Sequence, residues 1–208
     1  MSISKRLSPA EMRSAALDAA EAILMETGPA ALTLKAVAAR IGRTHASLLH
    51  HFESASGLHE ALGQHMADRH RARMMRAIGA LDERRITVRA MVDELFDSNN
   101  EHGGIQLMTW LLLTGNEPMF DPIMQALKDQ IELFSRTRAV LAPAQGVIDL
   151  AIMTHLLAMG DALMGEAMTR VLGLPRARPR EIATRAIQKW LKENTAQMPE
   201  ETEAGGAA

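Results

Sequence analysis

The chain contains neither cysteine nor tyrosine, and only 3% of its 208 residues are aromatic. Without cysteine, neither a disulfide framework nor thiolate chemistry is possible, and this fits a protein of the reducing cytoplasm. No stretch alternates β-branched and polar residues as a half-buried strand does. These absences exclude a disulfide-stabilised secreted domain and argue against a β-sheet protein.

The sequence also has no signal-peptide core at its start and no long uninterrupted apolar run. Its most apolar stretch, residues 147–165, is interrupted by Asp149, His155 and Asp161. A membrane-spanning helix needs ~20 predominantly apolar residues with few or no charges. We therefore expect a buried helix in a soluble, cytoplasmic protein that has no membrane partner.

The net charge is only −2, but it is distributed unevenly along the chain. Residues 1–60 are neutral, residues 61–90 carry a net +4, and residues 91–208 carry a net −6. Nucleic acid attracts positive and repels negative surfaces, so only the first part of the chain is suited to bind it.

Helix signals fill most of the sequence. Ser8, Pro9 and Glu11 form a capping box with proline at the first helical position, and apolar residues then recur at helical spacing. The breakers that follow predict an all-α fold of about nine helices: a short helix after Thr33, another after Thr44, and longer ones over about 58–81, 86–100, 104–114, 121–141, 145–172 and 180–195. The acidic tail, 197–208, has too little apolar surface to fold.

A helix, a glycine turn and a second helix occupy the stretch TLKAVAARIGRTHASLLHHF. Val37, Ile41, Leu48 and Phe52 can face one core, while polar and small residues remain outside. A second helix that begins with small residues can enter a major groove about 12 Å wide. The pattern is typical of DNA binding, and equally of two helices that merely pack around a glycine turn.

Residues 10–62 resemble the N-terminal domain of the TetR family of transcriptional regulators. The resemblance lies in the alanine-rich first helix that ends at Gly28, in LTLKAVAARIG, in ASL, in HHF and in Leu58. It implies a three-helix DNA-binding head at 1–62 and a larger ligand-binding and dimerisation body at 63–196. The implied partners are a double-stranded palindromic operator, a small hydrophobic effector and a second copy of the chain.

Two positions depart from the family pattern. Leu49 stands where members usually have a tyrosine, and Ala55 stands where they usually have a lysine; both family residues typically hold DNA phosphates. The alternative is therefore a helical small-molecule- or partner-binding protein that has lost DNA binding. The residues expected at the DNA are Thr33, Lys35, Arg43, Thr44, His45, Ala46, Ser47, His50 and His51.

In the body, the stretch around Trp110 predicts an apolar ligand pocket with a few polar groups. Its expected residues are Gln106, Thr109, Trp110, His155 and Met159; the alternative is that Trp110 and His155 belong to the core. The last two long helices predict a homodimer interface. No nucleophile is paired with a base and the histidines do not have metal-ligand spacing, so we expect no catalytic residue, no metal and no cofactor. Four arginines between positions 69 and 76 form either a solvated face or a second DNA contact.

Overall fold

The structure is a computed structural model that describes residues 8–101, 103–115, 121–138 and 144–195. The proposed tail at 197–208 lies outside these residues. Across the described ranges the chain is helical without a strand, and the helices are α1 (Pro9–Thr27), α2 (Leu34–Arg40), α3 (His45–Phe52), α4 (Ala55–Asp82), α5 (Val88–Asn100), α6 (Gly104–Leu113), α7 (Asp121–Arg138), α8 (Ala144–Gly160), α9 (Glu166–Val171) and α10 (Arg178–Thr195). A 3₁₀ turn at Pro29–Ala31 follows α1, and a π-helical turn at Asp161–Gly165 joins α8 to α9. Taken as one helix, α8–α9 brings the number to nine, and the all-α prediction is confirmed.

The predicted helix caps of the first part of the chain are present. Ser8 Oγ accepts from the Glu11 N–H, and Glu11 Oε2 accepts from the Ser8 N–H at 2.7 Å. Thr33 Oγ1 accepts from the Ala36 N–H at 3.1 Å, and Thr44 Oγ1 accepts from the Ser47 N–H at 3.2 Å. Each cap satisfies a backbone donor that the helix itself cannot satisfy, so these helix starts are determined by local sequence.

The core of the first four helices extends into the body. It is built from residues such as Ala16, Val37, Leu48 and Leu62, all fully or almost fully buried. The same cluster includes four residues of α6: Ile105, Leu107, Met108 and Leu111. A second cluster lies further along α4 and joins it to α5, α8 and α10. Helix α4 therefore contributes to both cores, and no gap in packing separates the head from the body at residue 62.

Three of the four α4 arginines bind carboxylates of neighbouring helices. Arg69 Nη1 lies 2.7 Å from Glu21 Oε2 on α1, and Arg71 Nη1 lies 2.9 Å from Asp129 Oδ2 on α7. Arg73 binds Glu94 on α5 and Glu101 just after it. These arginines therefore link α4 to its neighbours, whereas the sequence offered only a solvated face or a DNA contact.

The composition of the long apolar rod formed by α8, the π turn and α9 predicted a helix that is buried on every side. In the structure part of this rod is exposed. By length and composition alone Gly146–Val171 could cross a membrane, but only 22% of its most apolar stretch is buried within the structure. Its exposed large side chains are Ile152, Met153, Leu156, Leu163, Met164, Met168 and Val171. An exposed apolar surface of this extent marks an interaction site more often than free surface.

Candidate DNA interface and ligand cavity

Helices α2 and α3 form a compact helix-turn-helix. Leu34, Val37 and Ala38 of α2 are buried, as are Leu48 and Phe52 of α3. The chain reverses at Gly42, whose φ of +64° is favourable for glycine and costly for residues with a Cβ. The buried sides hold the two helices together and leave the remaining residues of α3 facing solvent.

Every residue expected at the DNA reaches solvent. Thr33, Lys35, Thr44, His45, Ala46 and His50 are exposed, and Arg43, Ser47 and His51 are partly exposed. The two threonine hydroxyls already accept hydrogen bonds as helix caps, but each still has its own O–H to donate. The arrangement brings hydroxyls, a helix N-terminus and basic side chains together at α2 and α3, and these are the groups that bind phosphates and base edges.

Arg13 on α1 is one of the basic residues that could compensate for the departures at Leu49 and Ala55. Its guanidinium lies 4.9 Å from the centre of the Phe52 ring, and its Nη1 donates to the His51 carbonyl at 3.3 Å. These contacts hold a cation beside the C-terminal end of α3, which a phosphate could approach. The only sequence signal was a basic residue in the first turns of an amphipathic helix.

The two positions that depart from the family pattern lie on the same surface. The Leu49 side chain is 41% exposed, and Ala55 is exposed at the first position of α4. Ser54 caps that helix, its Oγ accepting from the Gly57 N–H at 2.9 Å. This end of the surface thus presents methyl groups where the family usually presents a hydroxyl and an ammonium.

A cavity of about 340 Å³ lies inside the body, within the usual size range of small-molecule sites. Its walls come from α4, the C-terminal end of α5, α6, α7 and α8. Four methionines line it: Met66, Met108, Met124 and Met159. Because methionine is unbranched and flexible, such walls adapt to ligands of different shape.

Only two of the five residues expected at the ligand line this cavity, His155 and Met159. Gln106 is exposed and Thr109 is partly exposed. Trp110 packs on the first core, where its ring meets the His59 ring edge to face at 5.2 Å. The residues that replace them come mainly from α4, above all Met66, His70 and Arg73, which the sequence did not connect with a pocket.

The polar centre of the cavity consists of two histidines on facing helices. The rings of His70 and His155 lie 6.5 Å apart between their centres. Burial lowers the pKa of His70 to about 4, helped by the neighbouring His155 and Arg73. Burial also lowers the pKa of His155, although its hydrogen bond to the Ala151 carbonyl opposes this. Both rings are therefore neutral at pH 7.

The described His, Asp and Glu side chains form no cluster that could hold a metal ion. In particular, His50 and His51 stand edge to face at 5.7 Å on the surface of α3, without a carboxylate grouped with them.

Comparison with known proteins agrees with this architecture. Residues 16–62 match the family of bacterial regulatory proteins named tetR, and no curated protein matches the chain. A Rhodococcus sp. structure assigned to the TetR-family transcriptional regulators is 17% identical with a TM-score of 0.64, over 87% of this chain and 99% of that one. The multidrug binding protein EbrR, solved with imidazole, is 18% identical with a TM-score of 0.57, over 84% and 94%.

A protein of unknown function from Rhodococcus sp. RHA1 is 21% identical with a TM-score of 0.63, over 94% of this chain and 100% of that one. At these identities the solved structures establish the fold alone. The family match thus covers only the helix-turn-helix segment, residues 16–62, and over most of the chain the solved structures show a shared all-α fold.

Proposed function

We propose that this chain is a cytoplasmic transcriptional repressor that binds a palindromic operator as a homodimer and leaves it when a small hydrophobic ligand fills the body. The observation that carries the proposal is the double role of α4, which packs in the core of the helix-turn-helix and also lines the 340 Å³ cavity. A ligand that changes the position of α4 changes the position of α3 as well.

At the operator, we assign two kinds of contact. Lys35, Arg43, His45 and His50 read base edges, because their side chains are long or carry ring donors and reach solvent. Thr33, Thr44 and Ser47 bind phosphates through hydroxyls at helix starts, contacts that set register without reading sequence. Ala46 is small enough to let the backbone approach the groove, and His51 flanks it.

The second copy covers the exposed apolar face of the α8–α9 rod and the adjoining face of α10. Leu156, Leu163 and Met168 on the rod are each at least half exposed, and Ile182 on α10 is 45% exposed. Two copies related by a two-fold axis would bury these faces against each other in a four-helix interface. The same axis would place the two α3 helices on successive turns of a palindrome.

Ligand control requires a difference in affinity between two states. A ligand that bound the DNA-competent and the DNA-incompetent spacing of the heads equally would shift nothing. The cavity supports such a difference, because its walls come from five helices, of which α4 and α6 also belong to the core of the head. Filling it therefore changes packing that the head shares.

The exposed Leu49 and Ala55 favour the alternative function, that of a ligand- or partner-binding protein without DNA binding. Loss of two phosphate contacts reduces the salt-dependent part of DNA affinity. The two readings differ in one property, which is whether the unliganded protein binds a specific DNA segment.

The test is retardation of the DNA upstream of the protein's own coding region by the purified full chain, over a series of salt concentrations. A repressor of the proposed kind binds a palindromic segment there with an affinity that falls steeply with salt, and a scrambled segment binds far more weakly. Equal affinity for both segments, or no binding at low salt, would establish the second reading.

A further inference from the structure

His155 in the cavity wall has a hydrogen-bonding pattern that suits more than one protonation state. His155 Nδ1 lies 2.8 Å from the Ala151 carbonyl and therefore donates to it. His155 Nε2 lies 3.2 Å from Gln130 Oε1, an arrangement in which only a protonated imidazole can donate. Turned by 180°, the same amide would instead donate its NH₂ group to the Nε2 of a neutral ring.

Gln130 is the group that makes both states possible. It is 3% exposed, and its Nε2 has no hydrogen-bond partner among the described residues. An unpaired buried donor is costly, so the turned amide and the neutral His155 are favoured as long as no negative group lies nearby. We expect His155 to take up a proton only when a negatively charged group lies close to its ring.

The charged groups that line the cavity are mostly positive. Its charged lining residues are Arg69, Arg73 and Arg76 on α4 and Glu101 after α5; the lining residues of α6 and α7 are uncharged. Glu101 already binds Arg73. Among the described lining residues, the only rings are the two imidazoles, so a cation would find no phenyl or indole face.

Arg76 adds a reason for an anion to enter. Its side chain is exposed where the cavity is lined by α4, one to two turns beyond Arg69 and Arg73. Within the described part of the chain it has neither an ion pair nor a hydrogen bond to a carboxylate. A cation at the edge of a cavity with low-dielectric walls attracts anions toward it.

We propose, resting on the ligand-released repressor above, that the effector is an apolar carboxylic acid, with its carboxyl group between His70 and His155 and its hydrocarbon part against the methionines. The His70 ring has no hydrogen-bond partner in the described residues and faces His155. A carboxyl oxygen between the rings accepts a hydrogen bond from His70 and lies close to the His155 ring, whose two nitrogens face Ala151 and Gln130. Met66 and Met159, one helical turn from His70 and His155, contact the carbons that follow.

Binding of this acid takes up a proton. The acid is ionised in neutral solution, and the solvent supplies one proton to Nε2 of His155, beside the bound carboxylate. No bond to carbon forms or breaks, and the bound pair has no net charge. Gln130 then keeps its oxygen toward His155 as the acceptor for the protonated ring.

The experiment compares three ligands that have the same chain and different head groups: octanoate, octanamide and octylamine. Isothermal titration of the full-length protein, in two buffers with different ionisation enthalpies, measures both affinity and proton uptake. Octanoate should bind about tenfold more tightly than octanamide, since a charge-assisted hydrogen bond is roughly twice as strong as a neutral one. It should take up about one proton, whereas octanamide takes up none and octylamine does not bind.

Variants locate the head group. H70L should remove the preference for octanoate and the proton uptake, and R76Q should weaken octanoate binding without changing octanamide binding. H65Q, on the same helix but not in the cavity wall, and R185Q, on α10, are the matched controls and should behave as the wild type. Retention of octanamide binding by H70L shows that this variant still folds.

Three results would each overturn the assignment of an acid: equal affinity for octanoate and octanamide, octanoate binding without proton uptake, or an unchanged preference in H70L. The assignment would also be overturned if none of the three ligands bound. None of these results depends on DNA, so the repressor proposal is decided separately by the retardation experiment.

Discussion

Among single residues, Glu53 has the least favourable backbone conformation in the described part of the head. It joins α3 to α4 with a φ of +63° and a ψ of −37°, and the Ser54 N–H donates to the Phe52 carbonyl across it at 2.6 Å. A side chain in such a conformation costs of order 1–3 kcal/mol. The chain tolerates it because Phe52 and Leu58 on either side are buried in the same core.

Replacing Glu53 with glycine should therefore stabilise the protein. We expect a gain of about 0.5–1 kcal/mol in the free energy of unfolding, since the relief of strain exceeds the added entropy of the unfolded chain. Urea denaturation measures it. The matched control is G57A, whose new Cβ would stand 2.0 Å from the Phe52 carbonyl oxygen and should destabilise. Lower stability of E53G would contradict this account.

His45 and Thr44 are neighbours with different proposed roles at the operator. His45→Ala should change which base pair is preferred at one position of each half-site, because a base-edge contact is worth ~1–3 kcal/mol of discrimination. Thr44→Ala should weaken binding to all sequences about equally, through the lost phosphate contact and the lost helix cap.

The measurement is the affinity for the operator and for each single-base-pair variant of one half-site, with H65Q as the control outside the interface. If His45→Ala changes neither affinity nor preference, the assignment of His45 to base readout is wrong.

At the scale of elements, the π-helical turn divides the long apolar rod. It places Asp161 inside the protein, where the carboxylate is fully buried and binds Arg176 through both nitrogens, Nη2 to Oδ2 at 2.9 Å. A Cβ on Gly165 would lie 2.1 Å from Asp161 Oδ1, so glycine leaves the space for this ion pair. The pair ties the loop before α10 to the rod, and thereby sets α10 beside the exposed face that we assign to the dimer.

Changing one residue of that face should convert the dimer into monomers. Leu163 is 54% exposed, so L163E introduces no buried charge in the folded monomer, but it would place two desolvated carboxylates at the interface. Sedimentation at micromolar concentration should show a dimer for the wild type and a species of 22.7 kDa for the variant. L113E, at an 83% exposed position on α6, is the control and should remain dimeric. A mass of 22.7 kDa for the wild-type protein in solution would contradict the proposed dimer.

For the whole molecule, the two buried histidines link stability to pH. A histidine whose pKa is lower in the folded than in the unfolded chain binds its proton more weakly when folded, so acid favours unfolding. The pKa of His70 falls from 6.5 to about 4. The free energy of unfolding should therefore be insensitive to this group above pH 6.5, and should decrease by up to ~1.4 kcal/mol per pH unit between about 6.5 and 4.

Urea denaturation at a series of pH values tests this linkage in the wild type and in His70→Leu. The variant should lose less stability across that window, because one titrating group is gone while an apolar side chain still fills the wall. M66L alters the same wall without removing a titratable group and should keep the wild-type slope. Identical slopes for the wild type and His70→Leu would show that His70 does not contribute.

Local sequence was sufficient for the helix starts and for the helix-turn-helix. Ser8, Thr33 and Thr44 cap helices through contacts three residues away, and the exposed side of α3 follows from the spacing of Leu48 and Phe52. Contacts of such short range can be predicted because they depend on neighbours in the chain. Periodicity also indicated the helices of the body, though not the π turn at Asp161.

The cavity could not be predicted in the same way. Trp110 lies in a stretch that predicted a ligand pocket, but its ring faces His59. His70 was marked by no local pattern, yet its ring faces His155 across the cavity. Helical spacing shows which residues share a face, but not which helix covers that face. Five separate elements make the cavity wall, so their packing alone decides its lining. The amino-acid sequence by itself thus determined the helices and the solvent-facing residues of the helix-turn-helix. Only the tertiary structure decided where the cavity lies, because that depends on contacts between residues distant in the chain.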